Sequence, residues 1–153
     1  MNVLIDHRWQ MKLPQDFSQV SEEELRENRA NMTDEGMVFR SEERHIFLQI
    51  FWKKVPMFGN MIALEKVVDL TVKQHQKVVP TYRSHKELSR DIAGQKAAGF
   101  SYEYTVQDMD QVTMYYLIRY EKKYYAFSCI MRKENQDRDA AFFQDILGHV
   151  EKI

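Results

Sequence analysis

The clearest pattern in the chain is the alternation of apolar and polar residues through its last third. Three runs, at residues 100–107, 111–120 and 124–131, alternate with a period of two and are separated by short polar turns. This pattern predicts three antiparallel strands joined as a meander. After them, Asp137 can cap a helix with one apolar stripe, which must pack on the sheet. The stripe consists of Phe142, Phe143, Ile146, Leu147 and Val150.

The run from 45 to 53 alternates as cleanly, but it carries large apolar residues on both faces. One face has Ile46, Leu48, Ile50 and Trp52, and the other has Phe47, Gln49, Phe51 and Lys53. A strand that is apolar on both faces is typical of the interior of a sheet. We therefore predict an interior strand that pairs with a strand at 37–41 through a tight polar turn.

Weaker patterns predict the remaining elements. Ser21 and Glu24 have the spacing of a capping box, and Gly94 and Gly99 bracket a predicted turn before the meander. The predicted elements are a strand at 8–13, a helix at 21–31, a helix at 61–76 whose apolar face is Met61, Leu64, Val68 and Val72, and a strand at 81–92. Because hairpins and helices are segregated along the chain, the prediction is one α+β domain over residues 1–153, with an antiparallel sheet and helices packed on it.

Composition narrows the function classes. The chain is 44% hydrophobic and 12% aromatic, as in globular proteins, and 22 basic against 23 acidic residues argue against a nucleic-acid binder. The single cysteine, Cys129, excludes an internal disulfide and a cysteine-rich zinc site. The N-terminus has no basic leader followed by an apolar stretch, and no run reaches the ~18 apolar residues of a membrane span. These features predict a cytoplasmic location and no membrane span.

No catalytic motif is visible. Cys129 lies in an apolar strand, so we expect a small buried hydrophobe rather than a nucleophile. The five histidines have no zinc-binding spacing, and neither a metal nor a cofactor is predicted. His85 and Glu87 could share one face of a strand, which supports an alternative: a small-ligand sensor or enzyme with a pocket on a concave sheet face.

Four segments resemble the PsbP-like superfamily, in the branch of the bacterial DcrB-like domains and Eag chaperones. They are residues 11–17 (MKLPQDF), 94–97 (GQKA), 124–130 (YYAFSCI) and 142–147 (FFQDIL). They resemble the opening strand, the turn before the meander, the last strand and the closing helix of the family. Phe17 replaces the usual tryptophan of the first motif.

The resemblance implies a binding protein rather than an enzyme. Members of the superfamily include a photosystem accessory protein, a nuclear-transport factor that binds a small GTPase, and the Eag chaperones, which shield apolar helices of secreted effectors. By this resemblance the chain would be a bacterial adaptor or chaperone. The fold by itself does not choose the partner.

These observations lead to one main hypothesis, a non-enzymatic protein that binds a protein or an apolar peptide segment. Three helices are too few to guarantee cover for both faces of the sheet, and an uncovered apolar patch marks a partner site. The predicted contact residues on the sheet are Phe47, Phe51, Tyr115 and Leu117, with Met57 and Phe58 in a loop as a mobile rim. A homodimer that buries the same face is a further alternative.

Overall fold

A seven-stranded antiparallel sheet organises the chain in the computed structural model, which describes residues 1–28 and 35–153. The strands are β1 (Asn2–Ile5), β2 (Trp9–Lys12), β3 (Ser18–Gln19), β4 (Glu35–Ser41), β5 (Ile46–Lys54), β6 (Arg83–Ile92), β7 (Gln95–Val106), β8 (Met109–Tyr120), β9 (Lys123–Arg132) and β10 (Glu151–Lys152). The helices are α1 (Glu22–Asn28), α2 (Leu64–Val78) and α3 (Gln136–Gly148). The large sheet has the order β3-β4-β5-β9-β8-β7-β6, so the α+β prediction with an antiparallel sheet is confirmed.

The predicted meander is present as β7, β8 and β9, but its turns are shorter than predicted. Each turn has two residues with positive φ, namely Gln107 and Asp108 in the first and Glu121 and Lys122 in the second. Such turns match the right-handed twist of the strands they join. Met109 and Lys123 therefore begin strands, and the three-residue turns predicted at 108–110 and 121–123 were wrong.

Strand β7 also begins earlier than predicted, because the turn after β6 consists only of Ala93 and Gly94. Gly99, predicted to end this turn, lies inside β7 opposite Tyr116. A Cβ atom at Gly99 would lie 2.0 Å from the backbone oxygen of Tyr115. Gly99 therefore serves close strand packing rather than a turn.

The prediction for β5 is confirmed. It lies between β4 and β9, with Phe39 opposite Leu48 and Leu48 opposite Cys129. Ile46, Leu48 and Ile50 are buried on one face of the sheet. That face, named here the α3 face, contains the larger part of the core.

The α3 face is covered by α3 together with a small second sheet of β1, β2 and β10. This second sheet extends the strand predicted at 8–13, because β1 pairs with β2 through a turn at Asp6 and His7, both with positive φ. Trp9 packs edge-on against Tyr125, with ring centroids 5.6 Å apart. Helix α2 packs on the other face of the large sheet.

The helix boundaries differ from the predictions at their starts. The Ser21 hydroxyl accepts a hydrogen bond from the Glu24 amide at 3.2 Å, so this cap is confirmed, whereas residues 29–31 of the predicted helix lie outside the described residues. Met61 belongs to a short 3-10 turn and is 82% exposed, so it is not part of the apolar face of α2. Helix α3 has Asn135 rather than Asp137 at its cap position.

Replacing Gly99 by alanine should lower the free energy of unfolding by ~3 kcal/mol or more, because the new methyl group would overlap a backbone oxygen that the β7–β8 ladder holds in place. The measurement is urea denaturation followed by circular dichroism. The matched control is Gly148→Ala at the end of α3, where the nearest heavy atom is 3.7 Å away and the change should be neutral or slightly stabilising. A Gly99→Ala protein as stable as this control would contradict the close-packing account.

Candidate functional site

Helix α2 covers only part of the second face of the large sheet, named here the α2 face. It packs on β7 and β8, where Leu64 and Val68 join a second cluster of buried residues with Phe100 and Leu117. Leu64 and Val68 lie four residues apart on one face of α2, whereas Glu65, Lys66 and Asp69 between and after them are exposed, so α2 is amphipathic and packs on the sheet with one face. The strands beyond β8 in the sheet are β9, β5, β4 and β3.

His75 fastens the last turns of α2 to the sheet. Its Nδ1 lies 2.8 Å from the Tyr102 hydroxyl, and its ring contacts Phe100, Tyr102 and Tyr115 edge-on with centroids 5.4, 5.6 and 6.1 Å apart. Burial lowers the pKa of His75 and raises the pKa of Tyr102. The neutral imidazole is therefore the favoured form in the folded protein. This role of His75 could not be predicted from the sequence, because a histidine on an amphipathic helix has no distinctive pattern.

Beside α2, the α2 face presents a strip of side chains that retain solvent access. The strand register aligns Phe47 with Ile130, Gln49 with Ser128, and Phe51 with Ala126. Phe47 is 42% exposed, and all the others except Ser128 are half-buried. The middle pair is polar, with the Ser128 hydroxyl 3.4 Å from Oε1 of Gln49. The strip is thus apolar at both ends and polar in the centre.

A groove runs between this strip and α2. Its volume is about 210 Å³, and α2 contributes Thr71, Gln74 and His75 to its wall. The sheet residues that line it are Gln49, Phe51, Trp52, Lys53, Tyr115, Leu117, Tyr124, Ala126 and Ser128. Because its floor is a regular sheet, the groove is formed before any ligand arrives.

The structure brings together three of the residues predicted as a contact surface, since Phe51, Tyr115 and Leu117 all line the groove. Leu117 is only 4% exposed because α2 packs over it, and the Phe51 ring lies against Gly36, where a Cβ atom would approach it to 1.9 Å. Phe47 lies four residues before Phe51 along β5, on the same face.

The two loop residues predicted as a rim do not line the groove. Met57 and Phe58 are 85% and 72% exposed, and neither contributes to the groove lining. They follow β5 in the connection to α2, beyond Lys53 at the end of the strip.

At the opposite end of the strip, a depression of about 390 Å³ contains Phe47 together with Arg40, His45 and Arg132. Arg40 is paired with Glu24 at 3.4 Å, and Arg132 with Glu134 at 3.7 Å. These arginines were not identified from the sequence, because they are far apart in the chain and only the register of β4, β5 and β9 brings them to one end of the strip.

A separate cleft of about 460 Å³ lies on the other side of α2, against β6 and β7. His85 and Glu87 both line it, as the shared-face hypothesis requires. His85 has its Nδ1 2.6 Å from the Tyr82 hydroxyl, whose pKa burial raises to about 12. Both His85 and Glu87 are exposed to solvent.

The groups that could support catalysis are few. Burial and, secondarily, the nearby Asp139 raise the pKa of the Cys129 thiol, which is fully buried and thus suited to packing, as predicted. Among the described residues, no group of three or more His, Cys, Asp or Glu side chains is placed to hold a metal ion.

Within the same residues, no helix has the length and apolar character needed to cross a membrane.

Comparison with known proteins identifies the fold. No model of a protein family matches the chain, and no curated protein matches it significantly in sequence. Cyanobacterial PsbP (CyanoP) from Synechocystis sp. PCC 6803 is similar in structure over 100% of this chain and 92% of its own, with a TM-score of 0.71 and 13% identity.

Two further structures agree. LpqN, described as involved in cell envelope biogenesis of Mycobacterium tuberculosis, matches over 94% of this chain and 82% of its own, with a TM-score of 0.60 and 12% identity. A protein of unknown function from Pseudomonas aeruginosa matches over 96% and 93%, with a TM-score of 0.57 and 12% identity. Identities this low establish architecture alone. The chain has the PsbP-like fold.

Proposed function

We propose that this is a non-enzymatic accessory protein, an adaptor or chaperone that binds an apolar peptide or protein segment along the strip and groove of the α2 face. The observation that carries the proposal is that Phe47, which is 42% exposed, shares one accessible sheet face with the half-buried Phe51, Ala126 and Ile130 beside the groove. A large aromatic side chain on a sheet face normally packs under a covering element. A bound segment would supply that cover.

The dimensions of the strip suit one helix or one extended segment. Strands β4, β5 and β9 lie side by side and at strand spacing span about 10–14 Å, close to the diameter of a helix with its side chains. On β4, Val38 lies opposite Gln49 and is only 4% exposed, so the accessible floor of the strip consists of β5 and β9. Helix α2 forms one wall of this space. A segment laid beside α2 would complete a two-helix layer on the sheet.

The polar groups at the strip indicate what kind of segment would fit. Lys53 lies at one end, and Arg40 and Arg132, which are paired with Glu24 and Glu134, lie at the other. Because exposed ion pairs of this kind are weak, acidic residues that flank an apolar segment would replace the two glutamates as partners of the arginines and pair with Lys53. Gln49 and Ser128 in the centre offer hydrogen bonds to a polar residue in the middle of the segment.

The cleft beside β6 is the competing site for a small ligand. Its polar groups, His85 and Glu87, are exposed, so water competes for any hydrogen bond that they make. A binding pocket normally combines apolar lining with a few buried, oriented polar groups. The groove on the α2 face meets this description better, because His75 is half-buried in its wall.

Replacing Phe47 by serine should weaken binding of an apolar helical peptide with acidic ends by about tenfold, since a large contact on the strip is lost. Fluorescence anisotropy of the labelled peptide measures the affinity. Leu70→Ser is the matched control, because Leu70 is 57% exposed on α2 and lines a separate surface with Lys73 and Lys77. Circular dichroism and thermal melts establish that both variants fold.

Three results would overturn the proposal. The first is failure of the wild-type protein to bind the peptide, and the second is an equal effect of Phe47→Ser and Leu70→Ser. The third is a stable dimer in light scattering that Phe47→Ser dissociates, since the strip would then be a subunit contact. A peptide with basic ends should bind more weakly than the acidic one if Lys53, Arg40 and Arg132 contribute.

Acidification should loosen the wall of the groove through His75. Its folded pKa is lowered by burial, so the unfolded chain takes up the proton first as the pH falls. The contribution of the neutral imidazole to stability is complete above its ordinary pKa of 6.5 and declines as the pH falls from there to the lowered folded value. Tyr102, Tyr115 and Phe100, which surround the ring, carry no charge in this range.

The measurement is the free energy of unfolding between about pH 7.5 and about pH 5, compared with that of His75→Gln. Glutamine keeps a hydrogen-bonding group near Tyr102 but does not titrate. The wild-type protein should lose more stability over this interval than the variant. Parallel pH profiles for the two proteins would contradict the role given to His75.

A further inference from the structure

Within residues 1–28 and 35–153, the largest group of exposed apolar side chains that are close together along the chain lies in the connection between β5 and α2. Met57, Phe58 and Met61 are 85%, 72% and 82% exposed, and Ile62 is 44% exposed. Single exposed apolar residues are ordinary, but four within six residues form a patch that marks an interaction site. This segment, residues 56–62, is named here the apolar loop.

The apolar loop is held in place by hydrogen bonds. Within it, the amides of Gly59, Met61 and Ile62 donate to the oxygens of Pro56, Phe58 and Gly59 at 2.7, 3.0 and 3.1 Å. From β8, the Arg119 guanidinium donates to the Gly59 and Ile62 oxygens at 3.1 and 2.7 Å. The exposure of its side chains is therefore a property of an ordered turn.

Phe58 shows that this arrangement has a conformational cost. Its φ of 66° lies in the left-handed region, which is unfavourable for an aromatic residue. The ring gains no burial in return, since it is 72% exposed. Strain without burial in the free protein indicates that the ring is used in a complex.

A collar of lysines surrounds the apolar loop. Lys53 and Lys54 end β5 just before the loop, and Lys66 lies in the first turn of α2. Lys122 is next to the loop because its carbonyl oxygen accepts a hydrogen bond from the Val55 amide at 2.8 Å. All four lysines are exposed, and none has an ion pair within residues 1–28 and 35–153.

Two of the acidic residues next to the collar are ion-paired, because Glu65 pairs with Lys96 at 2.8 Å and Glu121 pairs with Arg8. Glu35, opposite Trp52, and Asp69, three residues after Lys66, have no ion pair within the described residues. Because the four lysines outnumber these two carboxylates, the surface around the apolar loop has a local excess of positive charge, although the chain as a whole has a net charge of −1. This local charge selects an anionic partner.

We propose that the apolar loop docks the protein on an anionic lipid surface, with Met57, Phe58 and Met61 entering the headgroup layer and the lysine collar contacting lipid phosphates. Apolar side chains that stand almost wholly in solvent suit a fluid layer that closes around them, and the lysines beside them suit anionic headgroups. Lysine stems can lie along the apolar boundary with their ammonium groups among the headgroups. Binding of this kind is peripheral and reversible.

Vesicle sedimentation tests the proposal, with phosphatidylcholine vesicles prepared with and without phosphatidylserine. The wild-type protein should sediment with the anionic vesicles and less with the neutral ones. The double variant Met57→Ser/Phe58→Ser should bind the anionic vesicles at least about tenfold more weakly. Leu70→Ser, which removes a comparably exposed apolar side chain outside the loop, should bind like the wild type. Circular dichroism establishes that the double variant is folded.

A second measurement reports insertion directly. Phe58→Trp places an indole at the tip of the apolar loop, and brominated lipids should quench its fluorescence if the side chain enters the bilayer. The wild-type protein, whose tryptophans are Trp9 and Trp52, gives the reference for quenching at those two residues. Absence of quenching, absence of vesicle binding, or equal binding by the wild type and the double variant would overturn the proposal. Equal binding to neutral vesicles would overturn the role of the lysine collar.

The outcome is separable from that of the groove. Phe47→Ser should bind vesicles like the wild type, because Phe47 lies at the far end of the strip from the apolar loop. If the double variant instead loses binding of the apolar peptide while the wild type ignores vesicles, the apolar loop belongs to a protein-binding site and lipid docking is wrong.

Discussion

The two-sided apolar character of β5, β8 and β9 is the constraint on which the rest of the structure depends. A sheet that is apolar on both faces needs a covering layer on each. The α3 face receives α3 and the small sheet of β1, β2 and β10, and the α2 face receives α2 over β7 and β8. Among the described residues, the strip that ends at the exposed Phe47 lies beyond the part of this face that α2 covers. The covered parts of the two faces form the buried core, and the accessible strip is the surface that we propose binds a partner.

Period-two alternation predicted β5 and the meander, since a strand buried on at least one face leaves that signature in the sequence. It also predicted that Phe47 and Phe51 share a face with Tyr115 and Leu117. It did not predict β1 and β10, whose short sheet depends on contacts between the two ends of the chain. Gly99 was assigned to a turn because a close approach between strands has no local signal.

The two proposed surfaces share an end of the molecule. Lys53 lines the groove and belongs to the lysine collar, so the groove opens beside the apolar loop. A protein docked by this loop would hold the strip close to a lipid surface. An apolar segment leaving or entering a bilayer would then pass directly to a site that shields it. The two surfaces are neighbours because the apolar loop follows directly on the end of β5, where Lys53 lies.

The central claim is that the strip on the α2 face is the binding surface. Methyl-detected NMR during titration with the apolar helical peptide tests it most directly, because methyl groups mark both faces of the sheet. We expect the methyl signals of Ala126 and Ile130 to shift, while those of Ile146 and Leu147, on the buried side of α3, stay unchanged. Shifts confined to Ile146 and Leu147, or no shifts at saturating peptide, would contradict it.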